Sequence, residues 1–165
     1  MTIAEILIEP FNGDQVVANT VAAHHLAIRL QQQIDGENQF RTNIRDSQAD
    51  LKTIYSYYVE PGGNFFIAWD YASNSIAGFI GLQKYTEFEG RIKRMAVLPA
   101  YRRQHIGTRL VKAAVKWASD ASFEKLVLAT GENENAIHIY KSVGFEVVGY
   151  DEIHNDHLME MDLRR

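Results

Sequence analysis

The chain has 165 residues, 46% hydrophobic and 23% charged, with a net charge of −4 and no cysteine. This is the composition of an ordinary globular domain, long enough for one core that buries roughly 70% of its unfolded surface. Disulfides, thiolate metal sites and a cysteine nucleophile are excluded. No apolar run approaches the ~18 residues of a membrane span, and no basic stripe could follow a nucleic-acid backbone.

Glu5, Glu9 and Asp14 break up the N-terminus, which lacks the basic-then-apolar order of a secretory signal. A cytoplasmic protein is the expectation, in one domain over 1–165, since no repeat or long linker divides the chain.

Ile6-Leu7-Ile8-Glu9 reads as a short strand ended by Pro10. From about 13 to 33, Val16, Val17, Val21, Ala22, Leu26, Ile28 and Leu30 fit one or two amphipathic helices. Residues 35–45 are polar and are expected to form a loop. Ser47-Gln48-Ala49-Asp50 resembles a capping box with Asp in place of Glu, opening a helix that runs to about Val59 and stops before Pro61-Gly62-Gly63. Residues 64–70 and 76–83 are rich in strand formers, and the short polar turn between them predicts an antiparallel hairpin.

Another strand is predicted over 91–98, after the acidic turn Glu87-Phe88-Glu89-Gly90 and before Pro99. Ile106, Leu110, Ala114, Trp117 and Ala118 mark the buried stripe of a helix. Lys125-Leu126-Val127-Leu128-Ala129-Thr130 is a strand, and the strand–helix–strand order implies a parallel pair. Asn133 or Asn135 caps a short helix ended by Gly144. Residues 145–150 and 157–163 form a closing antiparallel pair. The fold class is therefore α+β: a mixed, mostly antiparallel sheet with a central parallel βαβ unit and helices on both faces.

The segment with most chemical content is Tyr101-Arg102-Arg103-Gln104-His105-Ile106-Gly107-Thr108, which lies between a strand and a helix. Backbone N–H groups at a helix start, aided by the helix dipole and by arginines, form an anion site suited to phosphate. By itself Gly107 could equally mark a simple helix-entry turn.

Two segments carry a resemblance to the GNAT superfamily of acyl-CoA-dependent N-acetyltransferases. One is Met95-Ala96-Val97-Leu98-Pro99-Ala100-Tyr101-Arg102-Arg103-Gln104-His105-Ile106-Gly107, similar to the family's strand, proline and Arg/Gln-x-x-Gly-x-Gly/Ala loop. The other is Asn133-Glu134-Asn135-Ala136-Ile137-His138-Ile139-Tyr140-Lys141-Ser142-Val143-Gly144-Phe145, similar to its Asn-x-x-Ala…Tyr…Gly-Phe pattern. With the helix and strand between them they cover about a third of the chain. His105 departs from the pattern, standing where the family's loop has its first glycine. Histidine tolerates positive φ better than most residues and keeps its N–H.

The resemblance implies a GNAT-like fold and acetyl-CoA as co-substrate, without a metal. Its pyrophosphate would lie on the amides of Arg102, Arg103, Gln104, His105, Ile106, Gly107 and Thr108. Its pantetheine arm would run along Met95, Ala96 and Val97 like an added strand, with an amide there polarising the thioester carbonyl. Tyr140 would be the general acid for the departing sulfur, although a buried tyrosine with a satisfied hydroxyl is the plain alternative. Asn133 would contact the coenzyme arm, with helix capping in competition.

The implied activity is acetyl transfer to a primary amine by direct attack in a ternary complex, the alternative being a non-catalytic acyl-CoA-binding module. The partner would be a small-molecule or peptide amine, not nucleic acid or membrane, with a homodimer allowed. The base is not legible: Arg91 stands near the place where family members often carry glutamate. Glu87, Glu89, Glu132, His138 and His154 remain candidates, as does a water relay. Tyr55, Tyr57 and Tyr58 are candidates to line the acceptor cleft. His24-His25 and His154-Asn155-Asp156-His157 lack metal-site geometry.

Overall fold

A computed structural model describes residues 5–35, 48–131 and 133–164. Strand β1 (Ile6–Pro10) leads into α1 (Gln15–Ile34), one continuous helix that Asp14 caps by accepting from the amides of Val16 and Val17. The loop expected over 35–45 lies outside the described residues except for Asp35, the C-cap of α1. The predicted helix to Val59 is broken. It consists of α2 (Ala49–Lys52) and a π-helical turn, Tyr55–Val59.

The capping box expected at its start falls partly outside the described residues. Ser47 lies outside the described residues, and the side chain of Gln48 at the N-cap makes no capping hydrogen bond. The Asp50 carboxylate turns inward, for a reason given below.

Strands β2 (Asn64–Asp70) and β3 (Ser75–Lys84) form the predicted hairpin. β4 (Glu89–Val97) begins two residues before the expected start, so Glu89 and Gly90 belong to the sheet and not to the turn. A 3-10 turn (Pro99–Tyr101) precedes α3 (Ile106–Asp120), followed by β5 (Lys125–Thr130), α4 (Glu134–Val143), β6 (Glu146–Asp151) and β7 (Asp156–Asp162). The seven strands stand in the order β1-β2-β3-β4-β5-β7-β6, with β4 and β5 the parallel pair.

Strand alternation divides the apolar residues between two layers. Phe66, Ala68, Ile80, Leu82, Ile92 and Leu126 face the α3 stripe of Ile106, Leu110, Val111, Ala114 and Ala118. On the other face Phe65, Ile67, Ile76 and Phe79 pack with Ala18, Val21, Leu51, Ile54 and Tyr58. Gly81 serves this second layer: a Cβ there would lie 2.7 Å from the Tyr58 ring, so only glycine admits that ring against β3.

Candidate active site

The site begins with a register change in β4. Phe79 pairs with Ala96 but Gly81 with Lys93, so Arg94 and Met95 together oppose Ile80. This is a β-bulge, and Arg94 adopts the left-handed region (φ 62°) that such an extra residue requires. The bulge also resets the phase of the strand. Ile92, Met95 and Val97 pack on the α3 side, whereas Lys93 and Arg94 both project to the α2 side.

Arg94 is held there by a fork. Its Nε donates to Asp50 Oδ2 at 3.1 Å and an Nη to Oδ1 at 2.9 Å. The Tyr58 hydroxyl adds a third donor to Oδ2 at 2.5 Å. Asp50 is buried, and burial alone would raise its carboxyl pKa; the Arg94 and Tyr58 hydrogen bonds outweigh that and hold it below the ordinary value. Nearby, His25 Nδ1 meets Gln48 Oε1 at 2.8 Å, both residues buried.

Next to the bulge the sheet parts. β4 pairs with β5 only over Glu89, Gly90 and Arg91, against Lys125, Leu126 and Val127. Beyond that point β5 continues along β7 while β4 has no partner on this side among the described residues. Met95, Ala96 and Val97 therefore remain half-buried in the middle of a seven-stranded sheet, with one backbone edge open.

The loop that follows contains two non-glycine residues at positive φ, Arg103 (67°) and His105 (59°). His105 thus takes the left-handed conformation in place of glycine, as N-cap of α3, and contributes no side-chain cap. The α3 ladder starts with Arg109 N–H donating to His105 O. The amides of Ile106, Gly107 and Thr108 precede it and have no intrahelical acceptor, at the positive end of a 15-residue helix.

Arg102, Arg103 and Gln104 are exposed beside these amides, with Arg102 Nε 3.4 Å from Val97 O. Arg109 instead donates to Ile6 O at 2.7 Å and anchors β1. Tyr101 anchors the loop, donating to Asp70 Oδ2 at 2.7 Å.

Gly107 joins loop and strand. A Cβ there would stand 3.2 Å from Ile139 Cδ1 and 3.7 Å from both Met95 Sδ and Val97 Cγ2. The start of α3, the open part of β4 and the middle of α4 therefore converge at this glycine. Tyr140, the residue after Ile139, is buried in the same apolar cluster, edge-on to Phe145. Its hydroxyl makes no hydrogen bond to another described residue. Burial pushes its pKa well above the ordinary tyrosine value. Asn133 caps α4, its Oδ1 accepting from the amides of Asn135 and Ala136 at 3.0 and 3.3 Å, which leaves only its amide NH2 for other contacts.

The candidate bases are dispersed. Glu89 lies 3.2 Å from Lys125 Nζ, His154 pairs with Asp151 at 2.7 Å, and Glu87 and His138 are exposed. Glu132 lies outside the described residues. Of the three tyrosines, Tyr58 is buried against Asp50, Tyr55 is exposed, and Tyr57 accepts from Lys93 Nζ at 2.9 Å and Gln83 Nε2 at 3.3 Å. Sequence reasoning missed Asp50, Arg94 and the Lys93–Tyr57 contact. A bulge leaves no signal in a run such as Arg91-Ile92-Lys93-Arg94-Met95. Among the described residues no group of three potential metal ligands occurs, and no helix is long and apolar enough to cross a membrane.

The fold as a whole is similar to that of solved acetyltransferases. An acetyltransferase of the GNAT family from Staphylococcus aureus Mu50 matches with TM-score 0.81 at 22% identity, over 97% of this chain and 100% of that one. The PaiA N-acetyltransferase of Thermoplasma acidophilum, solved in complex with coenzyme A, matches with TM-score 0.74 at 20% identity, over 96% of this chain and 99% of that one.

The chain belongs to the acetyltransferase (GNAT) family, whose sequence model matches residues 30–145. Among curated proteins, probable N-acetyltransferase 14 of Xenopus tropicalis is 34% identical over 102 residues, 61% of this chain and 49% of that protein. N-alpha-acetyltransferase 30 of Schizosaccharomyces pombe is 29% identical over 105 residues, 60% of this chain and 69% of that protein. The chain spans about half the length of the Xenopus relative and 47% of N-acetyltransferase family 8 member 2 of Rattus norvegicus.

Proposed function

We propose that this chain transfers the acetyl group of acetyl-CoA to a primary amine by direct attack in a ternary complex. The observation that carries the reading is the juxtaposition, through Gly107, of three acceptor-less amides on α3 with the open backbone edge of β4. The amides of Ile106, Gly107 and Thr108, with Arg102, Arg103, Gln104 and His105 around them, suit a diphosphate. Met95, Ala96 and Val97 offer backbone donors and acceptors to an amide-bearing arm, and Asn133 offers its NH2. No residue is assigned to a metal.

The chemistry balances without a covalent enzyme intermediate. The nitrogen lone pair of the neutral amine attacks the thioester carbon, an amide of β4 stabilises the developing oxyanion, and the carbon–sulfur bond breaks. The proton lost by the amine leaves through water, and Tyr140, kept protonated by burial, donates one to the departing sulfur. With no cysteine in the chain, no thiolate is available to carry the acetyl group.

The test is release of free thiol from acetyl-CoA against a panel of amines, beside calorimetric titration with acetyl-CoA. Tyr140→Phe is expected to lower kcat by roughly 10²-fold or more while leaving coenzyme affinity nearly unchanged. A wild-type kcat in this variant would remove the acid role. Uptake of acetyl-CoA without turnover of any amine would favour the non-catalytic binding module.

A further inference from the structure

The face of β4 turned toward α2 is unusually rich in cations. The bulge puts Lys93 and Arg94 on this face. Arg91 joins them, since it pairs in register with Gln83, whose side chain reaches the same Tyr57 hydroxyl as Lys93. Lys125, in register with Glu89, is the fourth.

Two of the four are neutralised by close partners. Arg94 is forked onto Asp50, and Lys125 lies 3.2 Å from Glu89 and 3.6 Å from Glu160. Arg91 and Lys93 form no ion pair among the described residues. Arg91 lies over the ring of Tyr85, 4.8 Å from its centroid, and Lys93 donates to the Tyr57 hydroxyl. That hydroxyl already accepts from Lys93 and Gln83, so its own proton is left to donate. A guanidinium, an ammonium and a phenol O–H thus stand on one face as donors, none of them hydrogen-bonded or ion-paired to a carboxylate among the described residues.

They also stand at a particular place. Arg91 is the last residue of β4 paired with β5, so Arg91 and Lys93 flank the point where the sheet parts. Met95, Val97, Gly107 and Tyr140 belong to the opposite face. A molecule approaching from the α2 side meets the donors just before the opening.

We propose that the amine acceptor carries a carboxylate within a few bonds of its nitrogen, as an amino acid does, and that Lys93, Arg91 and Tyr57 bind it. The carboxylate accepts from the three donors, and its amine is directed toward the parting of β4 and β5. This assignment rests on the acetyl-transfer reading and narrows its substrate class. The same donors disfavour a polyamine, because a second ammonium would face Arg91 and Lys93 without compensation.

The experiment uses matched acceptors: amino acids against their carboxamides, with a polyamine as third arm. The wild-type protein is expected to favour the carboxylate member by about tenfold or more in kcat/KM, the scale of a charge-assisted contact, mainly through KM. Lys93→Met should bring the two members within about twofold of each other. Lys93→Arg should retain most of the preference, and rising salt should erode it. Acetyl-CoA uptake with equal turnover of both members, with turnover only of the polyamine, or with none, overturns the acceptor assignment alone. Failure to take up acetyl-CoA brings down the transferase reading and this one with it.

Discussion

His25 shows how burial turns one side chain into a pH-dependent contribution to stability. Desolvation is the largest influence, and Arg94 adds to it; together they lower the imidazole pKa from 6.5 to about 4. Protonation is therefore easier in the unfolded chain. The stabilisation is complete above pH 6.5 and is lost as pH falls from 6.5 toward 4, by about 3 kcal/mol in all. His25→Gln, whose amide can still donate to Gln48, should flatten urea-derived stability over that interval while leaving the value at pH 7.5 within about 1 kcal/mol of wild type. An unchanged slope would show that His25 titrates normally. Asp50 has the lowered value of a paired carboxylate, so its contribution is lost only below the ordinary carboxylate range. Nothing in Ser47-Gln48-Ala49-Asp50 distinguishes this residue from a capping carboxylate. Its partners Tyr58 and Arg94 lie 8 and 44 positions away, and only the tertiary fold brings them together.

At the scale of elements, the contact between α3, α4 and β4 has a definite tolerance. Gly107→Val would drive a branched side chain into Ile139, Met95 and Val97, an overpacking that costs typically 1–3 kcal/mol. The variant is expected to unfold several degrees lower, as well as to bind acetyl-CoA less well. Adding Ile139→Ala should recover part of the melting temperature. Failure to recover any of it would place the strain elsewhere. Elements governed by local pattern were legible: the β2–β3 hairpin, the α3 stripe and the β6–β7 pair follow from alternation, helical period and turns within a few residues. The left-handed conformation at His105 was consistent with the sequence because the loop pattern demanded it of whatever residue stood there. The bulge was not legible, since Arg94 satisfies its positive φ through contacts made by distant residues. Nor was the broken helix over 49–59, whose π-helical turn carries the Tyr58 ring that lies against Gly81.

In the whole molecule the two proposed binding sites lie on opposite faces of the sheet. One face presents Gly107, Tyr140 and the uncapped start of α3; the other presents Arg91, Lys93 and Tyr57, with an opening between β4 and β5 joining them. On the proposed reading, two ligands approach from opposite faces and are bound at once. Initial-rate plots with acetyl-CoA and an amine are expected to give intersecting lines, with no acetylated protein detectable by mass spectrometry in the absence of amine. Parallel lines would point to a covalent relay and against simultaneous occupancy.

The fork between Arg94 and Asp50 ties the bulge to a second element. An inserted residue in a central strand ordinarily throws every following side chain to the wrong face, and here that shift is the useful outcome. The insertion and the carboxylate that restrains it lie on different elements: removing Asp50 takes the fork from a largely buried guanidinium, and removing Arg94 takes two of the donors from a buried carboxylate that keeps the Tyr58 hydroxyl. The two positions are expected to couple, so that replacing both costs less stability than the two single replacements added together, as a double-mutant cycle would read.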